Sequence, residues 1–470
     1  WTPTRARDRR SGMGLSCLGR ADNTPCYDSD KSILHFSNVH AGKVPIGQPR
    51  LRWHHGPVQA LPITSLYVHV PFCAHKCEYC AFYSEASSGE LINRYVTSLV
   101  REMELVANDL KPRTVFFGGG TPSILNLRQW ETVLRAMERL NLLGADEWTI
   151  ESNPATVSLD KARLWRDFGV NRVSMGVQSL DEKLLERLGR IHSRDQVFKS
   201  FDTLRCAGFE NVNVDLMFAI PTQTMEVWRA TLREAIALGS EHLSSYEVIY
   251  EEDTPLYAQL QAREFDVDED LACEMYDELI QMTGANGLVQ YEIANFARDF
   301  RVGQRCAQRA VDVPERSPPP RRAEDSAALP ALACQHNVNY WRGGSFYGLG
   351  PSATGYVHGV RTKNWSNTQL YCEQLEKGRR AIESSEQLSP EARAGEIAAF
   401  GLRMNAGWRF EEFQQVTAFD LREGWAAEMR EFIDRGWAQT NEKGFWLNAR
   451  GLRFADAAAE AFLRLPSMAQ

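Results

Sequence analysis

From Thr64 onward, short apolar runs alternate with longer polar stretches whose apolar residues recur at helical spacing. The runs predict strands at Leu66–Val70, Thr114–Phe117, Trp148–Glu151, Arg172–Val177, Asn211–Phe218 and His242–Val248. Between them the spacing predicts a helix over Glu90–Leu110, with Leu91, Tyr95, Leu99, Met103 and Val106 on one face. Further helices are expected over Leu127–Leu140, Leu159–Phe168, Asp181–Leu188, Ser193–Ala207 and Met225–Leu238. Strands alternating with helices imply a parallel sheet, and right-handed crossovers would curl it into a barrel or part of one. After the loop Glu251–Pro255, a helix should run through Cys273 and Met282, and Gln290–Phe296 reads as one more strand. Near the end come helical patterns at Ala392–Met404, Phe410–Val416 and Leu421–Arg435. A hairpin over Trp437–Leu447, turning at Asn441–Gly444, and a closing helix follow, which together predict a small winged-helix-like domain.

Two stretches break the pattern. Residues 1–62 show no sustained period, with Gly, Pro, Asn and His frequent. Arg5, Arg7, Arg9 and Arg10 would suit a transit peptide, but Asp8, Asp22, Asp28 and Asp30 argue against one. The segment reads as a disordered extension or a mis-annotated start, with Met13 an alternative initiator, and Cys17 and Cys26 as free thiols. Residues 298–333 hold Pro-Glu-Arg-Ser-Pro-Pro-Pro-Arg-Arg and Ala/Leu-rich sequence without an amphipathic period, so they read as a disordered insertion or a sequence artefact. The expected domains are therefore a barrel over 63–297 and a C-terminal region over 334–470.

Composition narrows the function classes. The 470 residues carry a formal net charge of −8, and 43% of them are hydrophobic, ordinary for a globular protein and no invitation to nucleic acid. No apolar run reaches the ~18 residues of a membrane-spanning helix. Ten cysteines over this length are too sparse for a disulfide scaffold.

Three of those cysteines carry the chemistry. Cys73, Cys77 and Cys80 form C-x3-C-x2-C directly after the first strand. Thiolates this close can surround one iron–sulfur cluster, and a four-iron cube held by three would leave one iron open to a small chelating molecule. A zinc site and a chance cluster are the alternatives, but structural zinc takes four ligands, usually as two separated pairs. Gly118-Gly119-Gly120-Thr121 follows the second strand, where it is either a tight turn or a backbone cradle for an amino or carboxylate group. Glu151, Gln178 and Asp215 fall at or near strand ends, where ligands sit in parallel barrels. A carboxylate in an apolar strand must be paired, hydrogen-bonded or facing a cavity. His192 suits pocket or surface equally. His336, in Gln335-His336-Asn337-Val338-Asn339-Tyr340-Trp341, is either a core histidine or an iron ligand beside aromatic faces.

The cysteine triplet within Tyr67-Val68-His69-Val70-Pro71-Phe72-Cys73, the glycine triplet and the His336 motif together resemble the radical S-adenosylmethionine (SAM) superfamily. They look like its branch of oxygen-independent coproporphyrinogen III dehydrogenases and HemW-type heme chaperones, from about Ser65 to the C-terminus. The resemblance implies a partial (β/α)6 barrel, a [4Fe–4S] cluster on Cys73, Cys77 and Cys80, and SAM as cofactor. It implies that Gly118, Gly119, Gly120 and Thr121 meet the methionine part of SAM. Glu151, Gln178 and Asp215 would meet its methionine and ribose parts, and Arg190 its carboxylate, where a guanidinium fork is apt. Tyr67, Tyr79 and Phe82 would lie beside cluster and cofactor, and His336 would contact heme. Two functions then compete on one scaffold: a heme chaperone with heme as cargo, and the dehydrogenase, which decarboxylates propionates by radical chemistry. The dehydrogenases have a further Cys where this chain has Phe82, which favours the chaperone; Ala81 departs from the Asp usual there, and Thr354 stands where a His is common. The implied partners are apo-hemoproteins, respiratory ones among them, with peripheral membrane contact, and an electron donor. Reduced thiols imply the cytoplasm, with the mitochondrial matrix as the alternative.

Overall fold

The computed structural model describes residues 62–86, 89–299 and 329–463. The extension, apart from Pro62, and the bulk of the expected insertion lie outside them.

Among the described residues, nine strands form the main sheet. They are β1 (Ile63–Val70), β2 (Leu110–Gly119), β3 (Glu147–Ser152), β4 (Arg172–Gln178), β5 (Val212–Phe218), β6 (His242–Glu247), β7 (Leu288–Glu292), β8 (Asn295–Arg298) and β9 (Tyr347–Leu349). Their order is β9-β1-β2-β3-β4-β5-β6-β8-β7. From β9 to β6 all neighbours are parallel. The hairpin β7–β8 closes the far edge in antiparallel register. The expected parallel α/β barrel is thus present, extended by an edge strand on one side and a hairpin on the other.

Period two sorts the side chains. Leu66, Val68, Val70, Val115, Phe117, Ile150, Val173, Met175, Val212 and Val214 are buried in one core beneath the helices. The helix Leu127–Arg139 shows why its sequence seats there. Asn126 caps it, accepting from the Gln129 N–H at 3.0 Å, and Trp130, Val133, Leu134 and Met137 recur on the buried face. The opposite face of the sheet is polar: Ser65, Tyr67 and His69 from β1, Thr114 from β2, Glu147 and Glu151 from β3, Asn213 and Asp215 from β5.

Several boundaries differ from expectation. The helix expected to reach Leu110 ends at Val106, and Leu110 instead opens β2. The strand expected over Gln290–Phe296 is a hairpin, turned where the Glu292 carboxylate accepts the Ala294 N–H. The helix expected through Cys273 is preceded by a separate one, Pro255–Gln261. Of the residues expected in the insertion, Arg298 instead belongs to β8 and pairs with Leu288 of β7, and Leu329, Leu332 and Ala333 pack with Tyr291 and Ala297. The C-terminal region divides as well. Tyr347, Leu349, Tyr371 and Leu375 belong to the barrel's core, whereas a second core begins at Ala394. Buried Glu102 clamps the first part down, accepting from Gly350 N at 2.8 Å, Asn364 Nδ2 at 2.8 Å and the Tyr371 hydroxyl at 2.7 Å. The second core carries a three-stranded sheet (Trp408–Arg409, Gly444–Leu447, Ala438–Thr440) among helices, the winged-helix-like shape expected.

Candidate cluster and cofactor site

Register places the site. Val70 pairs with Gly119 and Glu151 with Ser174, so the segments leaving β1 to β4 emerge on one rim. There the glycine triplet grips the approach to the cysteines. Gly120 N donates to Val70 O and Thr121 N to Phe72 O, each at 2.8 Å. A Cβ on Gly120 would lie 2.7 Å from Phe72 O. Gly119 has φ +102°, and a Cβ there would meet the His69 ring at 2.5 Å. These glycines are therefore required for close approach of backbone to backbone and to an imidazole.

Cys73, Cys77 and Cys80 are free and half-buried on this loop. The Cys73 Sγ lies 3.4 Å from the Thr121 hydroxyl, and the Cys77 Sγ accepts from Arg190 Nη1 at 3.4 Å. Burial pushes the Cys80 thiol up to about 11; metal coordination deprotonates a thiol outright. Among the described residues no three His, Cys, Asp or Glu side chains converge closely enough for one metal ion. Three unpaired thiols on one loop, with a guanidinium and a hydroxyl turned to two of them, suit a multi-iron cluster as donors.

Beside the loop, Arg190 Nη2 donates to Gly176 O at 2.6 Å, while its buried Nε has no partner. A Cβ on Gly176 would touch both the Gln178 amide and the Arg190 guanidinium, so Gly176 lets the two meet at the rim. Gln178 itself is held at φ +65°. Glu151 accepts from Gly119 N at 3.2 Å. Burial, reinforced by the Asp215 charge, raises its carboxyl to about 8. Asp215 accepts from the Ser174 hydroxyl at 3.1 Å and Asn213 Nδ2 at 2.7 Å, and burial raises its pKa too. Two carboxyls that favour protonation, facing a polar interior, are set to receive a cationic ligand, which would restore their charge. Tyr67 lies on this face with its hydroxyl 3.0 Å from His69 Nδ1. His69 Nε2 must donate to the Tyr83 carbonyl at 2.9 Å, so Nδ1 is the acceptor and the Tyr67 hydroxyl the donor. Tyr79 packs beside Leu184, Leu188 and Met217.

Two expected residues stand apart. Phe82 is 61% exposed, turned to solvent. His336 lies at the opposite, N-terminal ends of the strands and is 1% exposed. Its Nδ1 is 3.1 Å from both the Ser65 and Thr114 hydroxyls, and its Nε2 is 2.7 Å from the Tyr340 hydroxyl. The ring stacks on Phe116 at 5.1 Å. Burial lowers its pKa to about 3, so it is neutral. With both nitrogens engaged, this conformation offers iron no lone pair, against the expectation of a heme contact. His192 is likewise buried, its Nε2 on the Val177 carbonyl at 3.0 Å.

Sequence reading missed His69 and Glu147. His69 shares a strand face with Tyr67, the one signal that could have found it. Glu147 opens β3 and accepts the backbone N–H groups of Gln335 at 2.8 Å and His336 at 3.0 Å, a pairing across 188 positions that no local pattern announces.

Comparison with known proteins gives concordant results. A family model described as the radical SAM superfamily matches residues 67–235, and one described as the HemN C-terminal domain matches residues 388–454. The heme chaperone HemW of Lactococcus lactis is 31% identical over 402 residues, spanning 85% of this chain and 97% of that protein. HemW of Escherichia coli is 34% identical over 302 residues, spanning 63% and 71%. A mitochondrial radical S-adenosyl methionine domain-containing protein 1 from Danio rerio is 29% identical over 469 residues, spanning 95% and 94%. Among solved structures, coproporphyrinogen III oxidase (HemN) of E. coli, a radical SAM enzyme, matches with a TM-score of 0.69 at 21% identity, covering 85% of this chain and 90% of that one. That likeness is one of fold.

Proposed function

The chain belongs to the HemW family of the radical SAM superfamily, and from that membership we propose that it binds heme and delivers it to apo-hemoproteins. The observation that carries this reading is 31% identity to a heme chaperone across 97% of that protein's length. Phe82 supports it, standing where the resemblance gives the coproporphyrinogen dehydrogenases another Cys.

In this reading Cys73, Cys77 and Cys80 hold a [4Fe–4S] cluster. When bound, the cluster supplies an electron and an open iron for SAM. Arg190 steadies the Cys77 thiolate, and its unpartnered Nε is a donor for an anionic group. Gly118, Gly119, Gly120 and Thr121, with Glu151, Gln178 and Asp215, receive the methionine and ribose of SAM. Tyr67 and Tyr79 wall the cofactor, with the Tyr67 ring fixed through His69. Recipients are apo-hemoproteins, respiratory ones among them, approached at a membrane surface; among the described residues no helix is long and apolar enough to cross one. Cluster thiols need a reducing compartment, which favours the cytoplasm in this reading, with the mitochondrial matrix as the alternative.

Anaerobically reconstituted protein tests this directly. Titration with heme is followed at the Soret band, and a parallel sample receives SAM, reductant and coproporphyrinogen III. A saturable Soret shift without conversion of the porphyrinogen is expected. Conversion would replace the chaperone by the dehydrogenase.

A further inference from the structure

The C-x2-C half of the cysteine motif is held from two sides. Glu78 lies between Cys77 and Cys80, in a turn closed by Cys80 N donating to Cys77 O at 3.2 Å. The Glu78 N–H donates to Leu188 O at 3.1 Å, and its carbonyl accepts from Leu256 N at 2.9 Å. The first partner lies just past the helix Glu182–Arg187. There Gly189 turns at φ +67°, and a Cβ on it would lie 3.1 Å from the Glu78 Cγ, so the two segments meet closely. The next residue, Arg190, turns its guanidinium to the Cys77 Sγ. The second partner stands in the first turn of the helix Pro255–Gln261. First-turn N–H groups have no acceptor within their own helix, so Leu256 can give its own to the cysteine loop.

That helix belongs to a strap, residues 250–268, between β6 and the helix Glu269–Ala285. Residues 261–264 and 266–268 of the strap are exposed, whereas Leu256 is fully buried. Leu256 packs with Leu184, Leu188, Met217 and Val248, and Tyr79 of the cysteine loop rests on the same cluster. Thr254 fixes the start of the helix, accepting from Tyr257 N at 3.3 Å and donating to Glu251 O at 2.7 Å. At the two ends of the strap, Tyr250 and Phe265 meet at 5.6 Å, and Arg187 lies over the Phe265 ring at 5.1 Å. The strap therefore closes on the helix whose end grips Glu78 from the other side. Cys73 is held differently, in the short strand Phe72–Cys73 paired with Glu85–Ala86.

We propose that residues 250–268 are a positioning strap for the cluster, anchored by Leu256, which fixes the Cys77–Cys80 turn so that both thiolates meet one cluster. The role presupposes that the three thiols hold that cluster. Closure and cluster binding are then reciprocal: a cluster that needs the turn in this form holds the strap shut, and the shut strap retains the cluster by the same factor. A surface strap anchored by a buried leucine and a ring stack opens at less than the cost of global unfolding. Its opening is the step that exposes the turn and lets cluster iron enter or leave.

The test uses the full chain, iron-free and anaerobically reconstituted. Wild type is compared with Leu256→Ala, Phe265→Ala and a control, Val197→Ala, which truncates a buried side chain of the helix Arg194–Cys206. Three readings are taken: hydrogen exchange of the strap, loss of iron to a ferrous chelator, and the EPR spectrum of the reduced cluster. The cluster should slow exchange at the Leu256 amide about tenfold, and Leu256→Ala should release iron about tenfold faster with altered g-values. Phe265→Ala should release it about threefold faster, and Val197→Ala should keep the wild-type rate and spectrum even where its urea midpoint falls. Exchange at Leu256 that is the same with and without the cluster would overturn the inference. So would wild-type iron retention and EPR in the folded strap variants, or iron loss from Val197→Ala as fast as from Leu256→Ala. If Leu256→Ala does not fold, Phe265→Ala and the wild-type exchange decide. A wild type that takes up no cluster sinks the cluster reading and the strap's role together; one that takes up the cluster while the strap stays unresponsive sinks the strap's role alone.

Discussion

Replacing Gly119 by alanine isolates the contact on which the rim depends. Two penalties are combined there: a φ of +102° that an L-residue rarely adopts, and a Cβ 2.5 Å from the His69 ring. Gly144 separates them, because it has φ +85° and nothing within 4 Å of its Cβ. Gly144→Ala should therefore cost only the backbone strain, about 1 kcal/mol. Gly119→Ala adds the displacement of an imidazole tied at both nitrogens, to Tyr67 and to the Tyr83 carbonyl. Overpacking of this kind costs ~1–3 kcal/mol, for a total of about 2–4 kcal/mol. The assay is urea denaturation of the apo-protein, repeated in a His69→Ala background where the ring is gone. In that background the extra cost should vanish and Gly119→Ala should resemble Gly144→Ala, the difference being the coupling energy. Equal costs for the two glycines in the wild-type background, or an undiminished cost in His69→Ala, would refute the reasoning.

Other consequences follow from buried charges and from exposure. Glu147→Ala leaves the Gln335 and His336 N–H groups without their acceptor in a buried place, at ~1–3 kcal/mol each, so a loss of about 2–6 kcal/mol is expected by urea denaturation, with Glu147→Gln losing less. Glu151 has a folded pKa of about 8 against an ordinary 4.5, so the folded chain holds a proton that the unfolded chain releases, and stability falls as pH rises through that window. Glu151→Gln should match wild type near pH 4.5 and exceed it by about 2 kcal/mol at pH 8.5, after discounting the half-buried carboxyl for solvent; thermal melts of the apo-protein showing a difference between the two that does not change over this range would mean the carboxyl is ionised throughout and would refute the assignment. Phe82→Ser, at a 61% exposed position, should change the unfolding free energy from urea denaturation by less than ~0.5 kcal/mol, and a larger loss would mean the ring is covered in the folded chain.

Much of the barrel was legible because its strands β1 to β6 are buried on the helix side and carry unbroken apolar periodicity. The edge strand Tyr347–Leu349 was not, since three residues are too few to show a period, and the hairpin β7–β8 was hidden by a turn at apolar Ile293-Ala294. The cysteine triplet and the glycine triplet announce themselves by composition and spacing. His336 shows the opposite limit. A histidine among aromatics reads the same whether it faces a porphyrin or seals a core, and only its partners Ser65 and Thr114, far off in sequence, distinguish the two. Arg172 and Glu147 were invisible for the same reason: charged residues opening strands read as solvated ends, yet here they are 2% and 7% exposed.

Heme transfer is the most direct measure of what the protein does. Protein reconstituted with its cluster and loaded with heme would be mixed with an apo-hemoprotein, separated from it by size, and both fractions read at the Soret band. Stoichiometric passage of heme to the recipient, faster than from free heme bound to albumin and lost in Cys73→Ser that still folds, is the predicted result. Heme that never binds, or that leaves at the same rate whether or not a recipient is present, would contradict the account.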